Sequence, residues 1–318
     1  MSEPVKWCVA VIGCGLIGES WAALCLAHGH DVRAWDPAAE RREGFAERLT
    51  RPLAQLAEVG QTGPGGNLPR GHLPRGHLTV TASLPEAVAQ ADIVQENAPE
   101  QIPLKRALYT EIEAAATEDA IIASSTSALT WSDLTPEMRN PDRFITAHPF
   151  NPPHLIPLVE LYGTQERVLE RAEAFYRGIG RIPARLKKDA VGHIANRLAS
   201  ALWREAVHIV AEDIADVASV DAALRHGPGL RWSVVGAHMA YHLGGGTGGM
   251  AHYLAHLGPS QARRWKTLGS PDLTPEVCDL LIAGIAEEAA GRSIADLEAE
   301  RDAGLIRALK VREKDNDV

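Results

Sequence analysis

The stretch that decides the fold is Val9-Ala10-Val11-Ile12-Gly13-Cys14-Gly15-Leu16-Ile17-Gly18, an apolar run passing into Gly-x-Gly-x-x-Gly. Each glycine has its own physical reason. Gly13 permits a tight turn, Gly15 lets the backbone approach a pyrophosphate, and Gly18 lets helix and strand pack closely. Leu16 and Ile17 open the helix that follows, whose free N–H groups and positive dipole end attract phosphate. A glycine pattern alone is weak, but this one sits in the strand–turn–helix–strand setting that a dinucleotide site requires. The second strand, Asp31–Trp35, is followed at once by Asp36. A carboxylate there accepts from the adenosine ribose hydroxyls and repels a 2′-phosphate, so the expected cofactor is NAD. Arg41 and Arg42 close behind are the one signal in the other direction.

Outward from this point, short apolar runs alternate with amphipathic stretches, which predicts a parallel sheet with crossover helices. The expected strands cover residues 7–12, 31–35, 78–81, 92–95, 120–124, 144–147 and 158–161, with helices over 17–27, 38–59 and 104–116. Ser83 is placed to cap a helix, with Pro85 early in it and Glu86 at the capping-box position. After residue 189 only helical spacing remains, over 190–211, 220–224, 274–290 and 294–311. The expectation is a doubly wound α/β Rossmann-type domain over residues 1–188, then a mainly helical substrate-binding and dimerisation domain over 189–318. A tandem duplication, Leu68-Pro69-Arg70-Gly71-His72 and Leu73-Pro74-Arg75-Gly76-His77, is too short for a repeat architecture and is read as a lengthened surface loop.

Composition excludes several classes. At 318 residues the chain is long enough for two domains, and its net charge of −9 is not the footprint of a nucleic-acid binder. No apolar run reaches the roughly 18 residues that span a bilayer, and the first residues lack the basic and apolar regions of a signal peptide. Four cysteines without CxxC spacing fit a reducing compartment, so a cytoplasmic location is expected. Aromatic residues make up only 5% of the chain, yet seven of them are Trp.

Three later segments make chemical sense together: Ser124-Ser125-Thr126-Ser127, His148-Pro149-Phe150-Asn151-Pro152-Pro153, and Glu160 inside Leu158-Val159-Glu160-Leu161. In open parallel sheets ligands bind beyond the carboxyl ends of strands, where Ser127 and His148 fall. Oxidising a secondary alcohol needs a base for the hydroxyl proton while hydride leaves, and histidine titrates in the right range. A carboxylate on the other ring nitrogen fixes the tautomer, and Glu160 in an apolar strand needs such a partner.

Together with Ala195-Asn196-Arg197, these motifs resemble the L-3-hydroxyacyl-CoA dehydrogenase family over nearly the whole chain. The resemblance implies NAD as cofactor, His148 as general base, Glu160 as its orienting partner, and Ser127 and Asn196 as hydrogen-bond partners of the substrate oxygen. It also places Glu100 and Lys105 near the nicotinamide and its ribose, and implies a homodimer. The chain departs from the family's usual Pro-Gly-Phe in having Val191-Gly192-His193. The segments Gly229-Leu230-Arg231-Trp232, 244–250 and Gly291-Arg292-Ser293 resemble a branch acting on small free hydroxy acids, which includes enzymes for L-carnitine and L-gulonate.

The residues themselves agree with a free acid. Arg231 stands in an otherwise apolar run, and its planar fork suits a carboxylate. A trimethylammonium group is recognised through aromatic faces, Trp best of all, and Trp131, Trp203 and Trp232 are the candidates. The expected reaction is NAD-dependent oxidation of a small L-3-hydroxy acid, with a short-chain CoA ester as the alternative. Two other classes were weighed. His238/His242 and His252/His256 have helical i,i+4 spacing but no HExxH glutamate, so no metal is expected. A non-catalytic role on the same scaffold is opposed by the intact set of Ser127, His148, Glu160 and Asn196.

Overall fold

The computed structural model describes residues 6–60 and 76–315. Strands β1 (Cys8–Ile12), β2 (Asp31–Trp35), β3 (Leu78–Val80), β4 (Ile93–Glu96), β5 (Ile121–Ser124), β6 (Phe144–Pro149), β7 (Leu158–Tyr162) and β8 (Ile182–Arg185) form one sheet, in the order β3-β2-β1-β4-β5-β6-β7-β8. Every neighbouring pair is parallel except β6 and β7, which run antiparallel. The reversal at β7 and the whole of β8 were absent from the sequence expectation.

The strands read as unbroken apolar runs because both sheet faces are covered. Val9 and Val11 of β1 point into one core with Trp21, Leu24 and Phe45, whereas Ala10 and Ile12 point into the other with Val88, Tyr109 and Phe144. Helices α1 (Leu16–Ala27), α2 (Thr50–Val59), α3 (Ile102–Ala115) and α4 (Glu166–Gly178) flank the strands in sequence. The continuous helix expected over 38–59 is interrupted at Gly44, whose φ of +66° is left-handed, so α2 is only its last piece. Ser83 caps its short helix as expected, accepting from the Glu86 N–H at 3.4 Å. The duplicated pentapeptides at 68–77 lie outside the described residues except for Gly76 and His77.

The described residues fall into two compact units. One contains the sheet and runs to Asn196, and it also takes the chain from Ala299 onward. The other is Arg197–Glu298. The helices from here are α5 (Ala195–Ala211), α6 (Val217–His226), α7 (Pro228–Trp232), α8 (Ala237–Gly244), α9 (Gly249–His256), α10 (Gly258–Trp265), α11 (Pro275–Ala289) and α12 (Ile294–Asp315). The break thus falls a few residues after the expected one at 188/189, and α12 returns to the sheet-bearing unit. It does so by burying Ile306 and Leu309 against Val59 and Leu155. An apolar stripe announces a helix but not the body it packs against, so the sequence could not assign α12.

Candidate active site

The register of β6 and β7 places His148 directly opposite Glu160. Opposed residues of an antiparallel pair share a face with Cβ atoms about 5 Å apart, so the backbone itself brings the two side chains together. His148 Nδ1 lies 2.8 Å from Glu160 Oε2. A carboxylate only accepts, so Nδ1 carries the hydrogen and Nε2 keeps a lone pair. Glu160 is wholly buried, and its Oε1 accepts from the Ile194 and Ala195 N–H groups at 2.7 and 2.9 Å, where α5 begins. Burial raises its carboxyl pKa, but the bond to His148 and the two N–H donors outweigh that and hold it below the ordinary carboxylate range.

His148 opens on a cavity of about 400 Å³ whose walls include Ile17, Asn97, Glu100, Ser127, Phe150 and Asn196. Glu100 Oε1 accepts from the Ser127 backbone N–H and from its hydroxyl, the latter at 2.9 Å. Burial opposes the Glu100 charge, yet the Ser127 N–H, the Lys105 ammonium and the Ser127 and Thr126 hydroxyls lower its pKa below the usual value. Asn196 donates to the Ser127 carbonyl at 3.0 Å. Ser127, His148, Glu160, Asn196 and Glu100 are therefore brought together. Lys105 lies behind them: it is 1% exposed and bonded to the buried Glu96 at 2.8 Å, and Glu100 is 3.8 Å away. It supports the wall rather than forming it.

His193 is buried in a left-handed conformation with φ +49°. Its ring lies 5.0 Å from that of His148, and its Nε2–H donates to the Thr126 carbonyl at 3.1 Å. The sequence reading passed over Asn97, Ala98 and Pro99, which also line the cavity. Their only signal is position, just past the carboxyl end of β4, where such sheets bind ligands.

The glycine loop fits a dinucleotide. Gly13 has φ +97°, and its N–H donates to the Trp35 carbonyl at 2.8 Å, joining the loop to the end of β2. A Cβ on Gly18 would sit 1.9 Å from the Gly13 carbonyl oxygen, so only glycine permits the approach. A Cβ on Gly15 would meet only an Arg41 guanidinium nitrogen at 3.6 Å, and this openness leaves room for a phosphate. No side chain caps α1 at Gly15, so its first-turn N–H groups are left for a ligand. Asp36 is nearly buried and accepts from the Cys14 and Ala38 N–H groups at 2.9 and 3.0 Å, beside the same loop. Of the two following arginines, Arg42 donates to the Asp36 backbone carbonyl at 2.6 Å, while Arg41 faces Gly15.

Family models match at both levels. Residues 8–190 match the 3-hydroxyacyl-CoA dehydrogenase NAD binding domain, and residues 192–270 match the C-terminal domain of the same family. The chain belongs to the 3-hydroxyacyl-CoA dehydrogenase family. It is an NAD-dependent enzyme of that family, with a Rossmann-like sheet followed by helices. Among family members, L-carnitine dehydrogenase of Streptomyces griseus is 45% identical over 305 residues, covering 95% of this chain and 89% of the relative. L-carnitine dehydrogenase of Pseudomonas putida is 40% identical over 304 residues, covering 95% and 92%. Of solved structures, an NAD+-dependent 5-formyl-3-hydroxy-2-methylpyridine 4-carboxylic acid 5-dehydrogenase is similar with a TM-score of 0.81 and 27% identity, covering 97% of this chain and 99% of that one.

Arg231 and Trp232 belong to the second unit, on α7, with Arg231 exposed and Trp232 half-buried. The Trp232 indole N–H has no hydrogen-bond partner among the described residues. Trp203 is exposed on α5, and Trp131 is half-buried against the sheet-bearing core, its indole N–H donating to the Phe144 carbonyl at 3.0 Å. Among the described residues no helix is long and apolar enough to cross a membrane, and no His/Cys/Asp/Glu group is placed to hold a metal.

Proposed function

We propose that this chain oxidises the 3-hydroxyl of L-carnitine to the 3-oxo acid, 3-dehydrocarnitine. The observation that carries the reading is the identity of 40–45% with L-carnitine dehydrogenases along almost the full length, on a chain that keeps the His148–Glu160 pair. NAD, when bound, supplies the hydride acceptor. Gly13, Gly15, Leu16, Ile17 and Gly18 would hold its pyrophosphate, Asp36 its adenosine ribose, and Glu100 the nicotinamide end. Lys105 acts there through Glu100.

In this reading the free lone pair of His148 Nε2 takes the proton of the substrate hydroxyl as the C3 hydride leaves. Glu160 holds the ring in the Nδ1–H tautomer and stabilises the imidazolium that forms. The one hydrogen of the substrate hydroxyl goes to His148, so Ser127 serves the substrate oxygen by turning its own hydroxyl hydrogen to it from Glu100, which keeps the Ser127 backbone N–H. Asn196 has a second amide hydrogen for the substrate oxygen. Arg231 is assigned to the substrate carboxylate and Trp232 to the trimethylammonium.

The test is to offer the purified protein L-carnitine, L-gulonate and 3-hydroxybutyryl-CoA with NAD and to follow NADH absorbance. Turnover of L-carnitine well above the others is expected. Turnover of the CoA ester alone would refute the free-acid reading, and turnover of none would refute the L-carnitine assignment. We further infer a cytoplasmic homodimer. Exposed Leu280, Ile282 and Ile285 on α11 support an interface between copies, and light scattering in solution tests it.

A further inference from the structure

We propose that α12 positions the loop that follows the catalytic histidine: Asp302, acting through Gln55, fixes the tautomer of His154 and so pins residues 149–155 to the dinucleotide helix α1. The relay serves whichever alcohol is oxidised.

Every bond direction in the relay is dictated by its neighbour. The Asp302 carboxylate is 4% exposed and accepts from Arg301 at one oxygen, and from Arg51 and the Gln55 amide nitrogen at the other, at 2.9 and 3.0 Å. A carboxylate cannot donate, so the Gln55 amide must turn its nitrogen to Asp302 and its oxygen away. That oxygen lies 2.7 Å from His154 Nε2. An amide oxygen cannot donate either, so Nε2 carries the hydrogen and Nδ1 keeps the lone pair. Nδ1 lies 2.9 Å from Ser20 Oγ on α1, so the serine's single hydrogen turns to Nδ1 rather than to the Leu16 carbonyl 3.1 Å away. Burial keeps the His154 imidazole neutral, lowering its pKa to about 4; Asp302 partly offsets this, and Arg181, Arg51 and Arg301 add to it.

The loop is held on its other sides as well. The buried Arg181 donates to the Pro153 carbonyl at 2.8 Å, and Leu155 packs with Val59, Ile306 and Leu309. Between His148 and this anchored segment lie Pro149, Phe150 and Asn151, all on the cavity wall. Asp302 and His154 are thus positioning residues. Loss of the relay frees that wall next to the base, where a misplacement of about 1 Å is enough to slow catalysis.

The test compares Gln55→Met, which cannot accept from His154, with Asp302→Asn, which still accepts from Gln55, and with Val59→Ala, which removes packing but no hydrogen bond. Imidazole nitrogen NMR on the NAD-saturated full-length protein reads the tautomer, with His154 assigned by its loss in His154→Gln. Wild type and Asp302→Asn are expected to hold His154 as the single Nε2–H tautomer. Gln55→Met is expected to mix tautomers and to lose about tenfold in kcat for L-carnitine, with the NAD KM within about twofold. Val59→Ala should lower Tm and change neither. A Gln55→Met protein that retains the single tautomer would overturn the proposal, as would a kcat loss equalled by Val59→Ala. The tautomer is read without substrate, so this outcome stands whether or not L-carnitine proves to be turned over.

Discussion

His148 has one ring nitrogen committed to Glu160 and one left to the cavity, and this asymmetry is the chemical core of the site. Replacing His148 by Ala should lower kcat by about 10³-fold, within the range of general-base contributions, while leaving NADH affinity by fluorescence titration unchanged. Retained turnover would remove the base assignment. Glu160→Gln is a subtler probe, because the amide can still hold the ring but brings no charge. Its expected effect is a fall in kcat of about tenfold or more, since the imidazolium loses its anionic partner. An unchanged kcat would mean that Glu160 is only a structural anchor for α5. Arg231 calls for a different readout. Arg231→Leu should raise the KM for L-carnitine by about tenfold or more, through loss of a charge-assisted pair, with the NAD KM unmoved. Equal KM values in both proteins would exclude the carboxylate assignment.

At the scale of elements, the glycine loop and the β6–β7 pair divide the work of positioning. The loop joins β1 to α1 so tightly that a methyl group on Gly18 has no room beside the Gly13 carbonyl. Gly18→Ala should therefore lower Tm by several degrees and weaken NAD binding, both measurable by thermal shift with and without cofactor. Normal NAD stabilisation of that variant would contradict the fit. This element was legible in the sequence because its chemistry demands glycine at fixed spacing, and so was the identity of His148 and Glu160. Their pairing was expected too, but the strand geometry that produces it was not. It depends on the reversal of β7 against β6, and an apolar run such as Leu158-Val159-Glu160-Leu161 carries no mark of strand direction. Asn97 and Pro99 were equally silent, since they line the cavity by topology and not by a motif. Lys105 shows the converse: the family resemblance marked its position, but its burial against Glu96 needed the packing of α3 to be seen.

Across the whole molecule, buried titratable groups set how folding depends on pH. The His28 and His154 imidazoles are pushed from 6.5 to about 4, each chiefly by burial. A base whose folded pKa is depressed stays neutral in the native state, while the unfolded chain takes up a proton below about pH 6.5. Stability from these two groups is therefore full above that pH and erodes as it falls toward 4. The carboxyls of Glu100, Glu160 and Asp302 are also depressed, burial notwithstanding, by hydrogen bonds and nearby positive charge. Their contribution is present above the unfolded carboxylate range and is lost as pH falls through the lower folded values, so it takes over where the histidines finish. Both effects have the same sign, and nothing in them depends on the substrate. The expected result is a Tm that holds near neutrality, begins to fall near pH 6.5 and drops more steeply below about pH 4.5. His28→Gln, outside the active site, should flatten the upper part of that curve and leave the steep acid limb in place. A scan of Tm against pH on both proteins decides it: an unchanged upper slope in the variant would show that His28 does not carry this dependence.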